Sequence, residues 1–133
     1  CSTWKAASSP AFSCATAIET RGHTFYIDQP VDAGGEDTAP TPVELLVASL
    51  SSCVAHYAHS YLRRHGLSEE GLAVHATAEM ADRPARVGSI TVELTLPPGV
   101  PEERRAALLA VASHCTVHNT LQAPPDVTVR LAP

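Results

Sequence analysis

The chain reads as an α+β protein with one domain spanning residues 1–133. Three observations predict this class. A hairpin pattern opens the sequence, a long and fully punctuated helix follows, and two alternating strands come directly after it rather than a repeating strand-helix-strand order.

The opening segment from Ser2 to Asp28 carries the pattern of short strands. Phe12 to Thr20 and His23 to Asp28 are separated by Arg21-Gly22, a pair suited to a tight turn, so the spacing predicts a hairpin. Gln29 to Thr41 holds Pro30, Pro40, the Gly34-Gly35 pair and three acids, the composition of a connecting loop.

The best-marked element starts at Thr41. Its hydroxyl suits an N-cap, Pro42 suits the first helical position, and Glu44 completes a Thr-x-x-Glu capping box. Arg63, Arg64 and His65 favour the negative end of the helix dipole, and Gly66 supplies a left-handed stop. A helix over Pro42–His65 would run about 36 Å at 1.5 Å per residue. Its first half, Leu45, Leu46, Val47, Ala48 and Leu50, is apolar nearly all round. Such a helix needs cover on most sides, more than one small sheet provides, so a second copy of the chain is expected to help: a homodimer.

In Leu72–Ala81 the residues Leu72, Val74, Ala76, Ala78 and Met80 alternate with Ala73, His75, Thr77 and Glu79. Ile90, Val92, Leu94 and Leu96 alternate with Thr91, Glu93 and Thr95, so each segment predicts a strand with one buried face. Asp82-Arg83-Pro84 breaks between them, and Pro97-Pro98-Gly99 ends the second. Pro101-Glu102-Glu103 opens a second helix with Leu108, Leu109 and Ala112 as its apolar stripe. Ser113-His114-Cys115 interrupts it, Thr116–Gln122 forms a short further helix, and Val127, Val129 and Leu131 are expected to close the chain as a strand.

Composition removes several function classes. Nine Lys and Arg against fourteen Asp and Glu give a net charge of -5, with no basic run longer than Arg63-Arg64-His65, so no nucleic-acid or anionic-membrane footprint is expected. No apolar stretch approaches the roughly 20 residues of a membrane span, and neither anchor nor signal peptide is expected. Four cysteines without repeating spacing do not make a secreted disulfide scaffold, which favours a reducing, cytoplasmic setting. P-loop, dinucleotide-binding and nucleophile-elbow motifs are all absent from the sequence.

The residues that carry chemistry are cysteines. Cys53 sits within the long helix and Cys115 at the break after the second helix. If the two sulfurs meet, one thiolate can attack a peroxide O–O bond, become a sulfenic acid and be resolved by the other to a disulfide. The residue types leave a second reading open, in which both are small buried core residues. A third reading joins Cys53-Val54-Ala55-His56 to Cys115-Thr116-Val117-His118 as a Cys₂His₂ zinc site, although a regular helix seldom supplies such a pair; metal ligation is not the expectation. His56, at i+3 from Cys53, and Arg21 are the candidate cations beside that thiol. Cys1 and Cys14 have no comparable companions.

Two longer runs resemble a known family. Gly34-Gly35-Glu36-Asp37-Thr38-Ala39-Pro40-Thr41-Pro42-Val43-Glu44-Leu45-Leu46-Val47-Ala48-Ser49-Leu50-Ser51-Ser52-Cys53 looks like the GGxDxxPxPxELLxAxLxxC run of OsmC/Ohr proteins, and Cys115-Thr116-Val117-His118-Asn119-Thr120-Leu121 looks like their CPVHxTL run. The resemblance implies an OsmC-like fold with two main helices packed on antiparallel sheets, and an intertwined homodimer with sites at its interface. It also implies thiol-dependent reduction of organic hydroperoxides in oxidative stress defence. By the same resemblance Cys53 takes the peroxidatic place and Cys115 the resolving one, with no bound cofactor and an external thiol or dithiol as reductant. Val43 stands where the hydroperoxide reductases carry an acid, the 29–41 connector holds no arginine, and Thr116 replaces a proline. These departures resemble a less characterised OsmC-like branch, and they keep open an alternative function: a protein on the same fold that binds a small apolar ligand with weak or no peroxidase activity.

Overall fold

The structure is a computed structural model that describes residues 4–8 and 15–133. Cys1, Cys14 and the predicted strand start at Phe12 lie outside the described residues. The chain divides into two compact units, Cys1–Leu46 and Val47–Pro133.

The first unit holds a three-stranded antiparallel sheet in the order β1 (Lys5–Ser8), β2 (Thr16–Thr20), β3 (His23–Ile27). Thr20 pairs with His23 across a two-residue turn, and both turn residues take positive φ, 49° at Arg21 and 81° at Gly22. That geometry matches the right-handed twist of the flanking strands, which is why Arg21-Gly22 closes the predicted hairpin. The connector after β3 is organised around one carboxylate. Asp28, only 4 % exposed, accepts from the backbone N–H groups of Gln29, Glu36 and Thr38 and from the Thr38 hydroxyl. A single 3₁₀ turn, Val31–Ala33, lies inside this loop. Gly35 passes so close to the Gln29 carbonyl that a Cβ there would clash with the backbone.

Helix α1 runs over Pro42–Arg64, one residue shorter than expected. Its capping box is reciprocal: the Thr41 N–H donates to Glu44 Oε2 at 2.7 Å, and the Glu44 N–H donates to Thr41 Oγ1 at 3.2 Å. At the other end Gly66 takes φ 65°, its N–H donates to the Arg63 carbonyl, and the Leu67 N–H donates to the Leu62 carbonyl. This pair of bonds is a Schellman motif, available because glycine carries no Cβ penalty in the left-handed region.

In the second unit, the buried stripe of α1 is Leu50, Val54, Ala58, Tyr61 and Leu62, at the i, i+4 spacing that keeps one face inward. It packs into a core with Val100, Leu108, Ala112 and Cys115, flanked by Val74, Ile90, Val92 and Leu94. The last four come from an antiparallel pair, β4 (Ala73–Ala81) and β5 (Arg86–Thr95). Helix α2 (Glu102–Ala112) and helix α3 (Thr116–Gln122) follow.

Three expectations are corrected. The buried face of β4 ends early: the register shifts between Glu79 and Met80, and Met80 is 59 % exposed. Leu109 leaves the predicted stripe of α2 and is largely exposed, because Leu108 and Ala112 alone take the inward positions. Val127, Val129 and Leu131 form no strand; they are at least 82 % exposed, since alternation makes a strand only where an edge is there to pair with it. Leu46, in the apolar half of α1, is also exposed.

Candidate functional site

The fold brings the two predicted cysteines together. Cys53 projects from α1 beside the core stripe and is half-buried, whereas Cys115 is fully buried within the core. Cys115 is also the N-cap of α3, and its Sγ accepts from the backbone N–H of His118 at 3.5 Å. Burial pushes the Cys115 thiol above its ordinary value, which the His118 N–H opposes and a hydrogen bond with Cys53 reinforces. Both sulfurs are free thiols and within hydrogen-bonding reach of each other.

The two histidines of the C-x-x-H pairs turn elsewhere. His56 stands edge-on to Tyr57 at 5.9 Å between ring centroids, and His118 faces a separate cavity. Among the described residues no three His, Cys, Asp or Glu side chains come together as a metal site. Arg21 belongs to the other compact unit.

The second unit also has two features that periodicity alone did not reveal. The first is an apolar cavity of about 200 Å³ lined by Leu50, Val54, Ile90, Val92, Leu94 and Leu109, with Ser113 and His118 as its polar members. The Nδ1 atom of His118 is buried without a hydrogen-bond partner among the described residues. The second is a cleft of about 420 Å³ along α1, lined by His56, Tyr57, Ser60, Tyr61, Arg64 and His65 with Val111 of α2. Tyr57 ties the cleft to the thiol region, since its hydroxyl lies 3.0 Å from Thr116 Oγ1, one residue after Cys115.

An antiparallel α+β scaffold carrying two adjacent thiols, one at a helix N-cap, defines a class of small dithiol proteins. Residues 34–130 match the family model of OsmC-like proteins, and the chain belongs to that family. Solved structures agree on the α+β OsmC-like fold, with three helices and antiparallel sheets in this chain. A Psychrobacter arcticus protein assigned to the osmotic-stress and detoxification response is similar with a TM-score of 0.78 and 23 % identity, over 89 % of this chain and 86 % of that one. The organic hydroperoxide resistance protein OsmC of Legionella pneumophila gives a TM-score of 0.69 and 20 % identity, over 92 % and 89 %. A Vibrio cholerae protein assigned to organic hydroperoxide resistance, with captopril in one of its active sites, gives 0.60 and 18 %, over 92 % and 85 %. No curated protein sequence matches the chain. Among the described residues no helix is long and apolar enough to cross a membrane.

Proposed function

We propose that this protein is a thiol-dependent peroxidase that reduces organic hydroperoxides through Cys53 and Cys115. The observation that carries the reading is the hydrogen-bonding proximity of the half-buried Cys53 thiol and the buried Cys115 thiol. Cys53 is the attacking sulfur, because it alone of the pair is not a fully buried residue. Its thiolate takes the terminal oxygen of ROOH, the O–O bond breaks, and the alkoxide leaves as ROH after protonation. The Cys115 thiol then attacks the Cys53 sulfenic acid, forming the S–S bond and releasing water. An external thiol returns both sulfurs to the reduced state; captopril, found in an active site of the Vibrio cholerae neighbour, is itself a thiol. The test mixes reduced protein with cumene hydroperoxide and maps disulfides by mass spectrometry, in wild type and Cys53→Ser. A Cys53 to Cys115 bond and peroxide consumption lost in the variant are expected; unchanged consumption in the variant would sink the reading.

The exposure of Leu46 on α1 and of the alternating Val127, Val129 and Leu131 supports a homodimer as the working state. Sedimentation equilibrium at micromolar concentration would return twice the chain mass, and a monomer mass would reject it.

A second reading rests on the apolar cavity and the partnerless His118 Nδ1: the protein holds a small apolar ligand bearing one polar atom. Titration with 2-phenyl-2-propanol, followed by NMR of the Leu50, Val54 and Ile90 methyl groups that line the cavity, checks it. Saturable shifts lost in His118→Phe favour that reading.

A further inference from the structure

Two side-chain ties join α1 to the start of α3. One is the hydrogen bond between the Cys53 and Cys115 thiols. The other is the bond between the Tyr57 hydroxyl and Thr116 Oγ1, at 3.0 Å; among the described residues no further hydrogen bond links these two segments. The four residues run in matched pairs: Tyr57 lies at i+4 from Cys53 on α1, and Thr116 follows Cys115 as the first residue of α3. Residues four apart on a helix are neighbours, and helical side chains lean toward the N-terminus, so the Tyr57 ring reaches back over the turn that carries Cys53. Both Cys53 and Tyr57 pack, half-buried, against the core that holds Cys115. The first position of a helix asks for no side-chain hydrogen bond, and proline serves well there. Cys115 already supplies the cap, and Thr116 is a β-branched, weaker helix former. Its hydroxyl therefore works across the gap to α1 rather than for α3 itself.

We propose that the Tyr57–Thr116 bond positions Cys115 for disulfide closure, holding the start of α3 against α1 while Cys53 carries oxygen, so that the sulfenic acid is resolved before a second peroxide reaches it. The proposal rests on the reading of the two cysteines as a redox couple. Tyr57 and Thr116 are positioning residues that act through Cys115. Oxidation of Cys53 removes the contact between the two thiols, and the hydroxyl bond is the tie that remains. Closure forms the Cys53–Cys115 S–S bond and breaks the S–O bond of the sulfenic acid; the hydroxide leaves with the Cys115 proton as water. Burial pushes the Cys115 thiol up and keeps its thiolate scarce, so this step depends on proximity. The competing second oxidation gives a sulfinic acid, which thiols do not reduce.

Reduced protein is mixed with cumene hydroperoxide in a fixed concentration of dimedone, which traps the sulfenic acid. Mass spectrometry follows loss of the Cys53 thiol and the ratio of dimedone adduct to Cys53–Cys115 disulfide. Tyr57→Phe and Thr116→Val should each raise that ratio roughly fivefold, the scale of one net intramolecular hydrogen bond, while the Cys53 thiol is lost at the wild-type rate. Thr116→Ser keeps the hydroxyl and should keep the wild-type ratio. The Tyr57→Phe/Thr116→Val pair should be no worse than either change alone, because both remove the same bond. A wild-type ratio in either single variant, a Thr116→Ser that behaves as Thr116→Val does, additive effects in the pair, or loss of the Cys53 thiol slowed by the same factor overturns the proposal and leaves the couple standing. A wild-type protein that forms no Cys53–Cys115 disulfide removes the couple, and the proposal with it.

Discussion

The backbone N–H of His118 donates to the Sγ of Cys115, so the sulfur read as the resolving thiol is also the cap of α3. One atom serves both roles, and a variant can separate them. Cys115→Ser keeps an acceptor at the N-cap and should leave urea stability within about 1 kcal/mol of wild type, while disulfide formation disappears. Cys115→Val removes the acceptor and should cost about 1 kcal/mol more than the serine variant. Equal stabilities of the two variants would show that the cap contributes nothing.

Asp28 should give the first unit an acid-sensitive hold on its connector. Hydrogen bonds from the Thr38 hydroxyl and N–H, aided by those of Gln29 and Glu36, lower its carboxyl from 3.8 to about 2, against the opposing effect of burial. A folded value below the unfolded one means that the carboxylate's contribution is complete above pH 3.8 and is lost as pH falls toward about 2. Thermal melts of wild type and Asp28→Asn between pH 6 and pH 2 check this. Wild type should lose its advantage across that window, and parallel curves would refute the assignment.

The Thr41 and Glu44 bonds predict that Thr41→Ala lowers stability by about 1 kcal/mol. Urea denaturation should show a lower midpoint with an unchanged slope, because the loss is local to the start of α1.

Tyr61 is a buried side chain whose hydroxyl has no partner among the described residues, while its ring stacks on His65 at 4.1 Å. Removing an unsatisfied hydroxyl while keeping the ring is close to neutral or favourable, so Tyr61→Phe should leave stability within about 1 kcal/mol of wild type. A loss above 2 kcal/mol would reveal a bond that the hydroxyl makes.

These bonds also show why some of the fold was legible in the sequence. The ends of α1 and the Arg21-Gly22 turn are set by local rules, a hydroxyl three residues from a carboxylate or a residue that tolerates positive φ, and the sequence displays both. Asp28 is different: its donors lie eight and ten residues further on, so composition reads the segment only as a loop. Met80, Leu109 and the Val127–Leu131 stretch carry the right periodicity without the covering surface, which periodicity does not encode. In the site, both cysteines were visible as residue types in suggestive runs. The cleft at Arg64 and the partnerless nitrogen of His118 were not, because each depends on what tertiary packing leaves empty.

Helix α1 presents its packing stripe and its thiol face on one rigid rod, out of phase by about 100°. Rolling such a rod by 20° sweeps a sulfur about 5 Å from the axis through nearly 2 Å, enough to carry Cys53 out of reach of Cys115. The inward residues Leu50, Val54, Ala58 and Leu62 therefore act as an angular bearing as well as a core. Substitutions there that leave the melting temperature intact can still mistime the chemistry, and the place to see it is the rate at which the two sulfurs join.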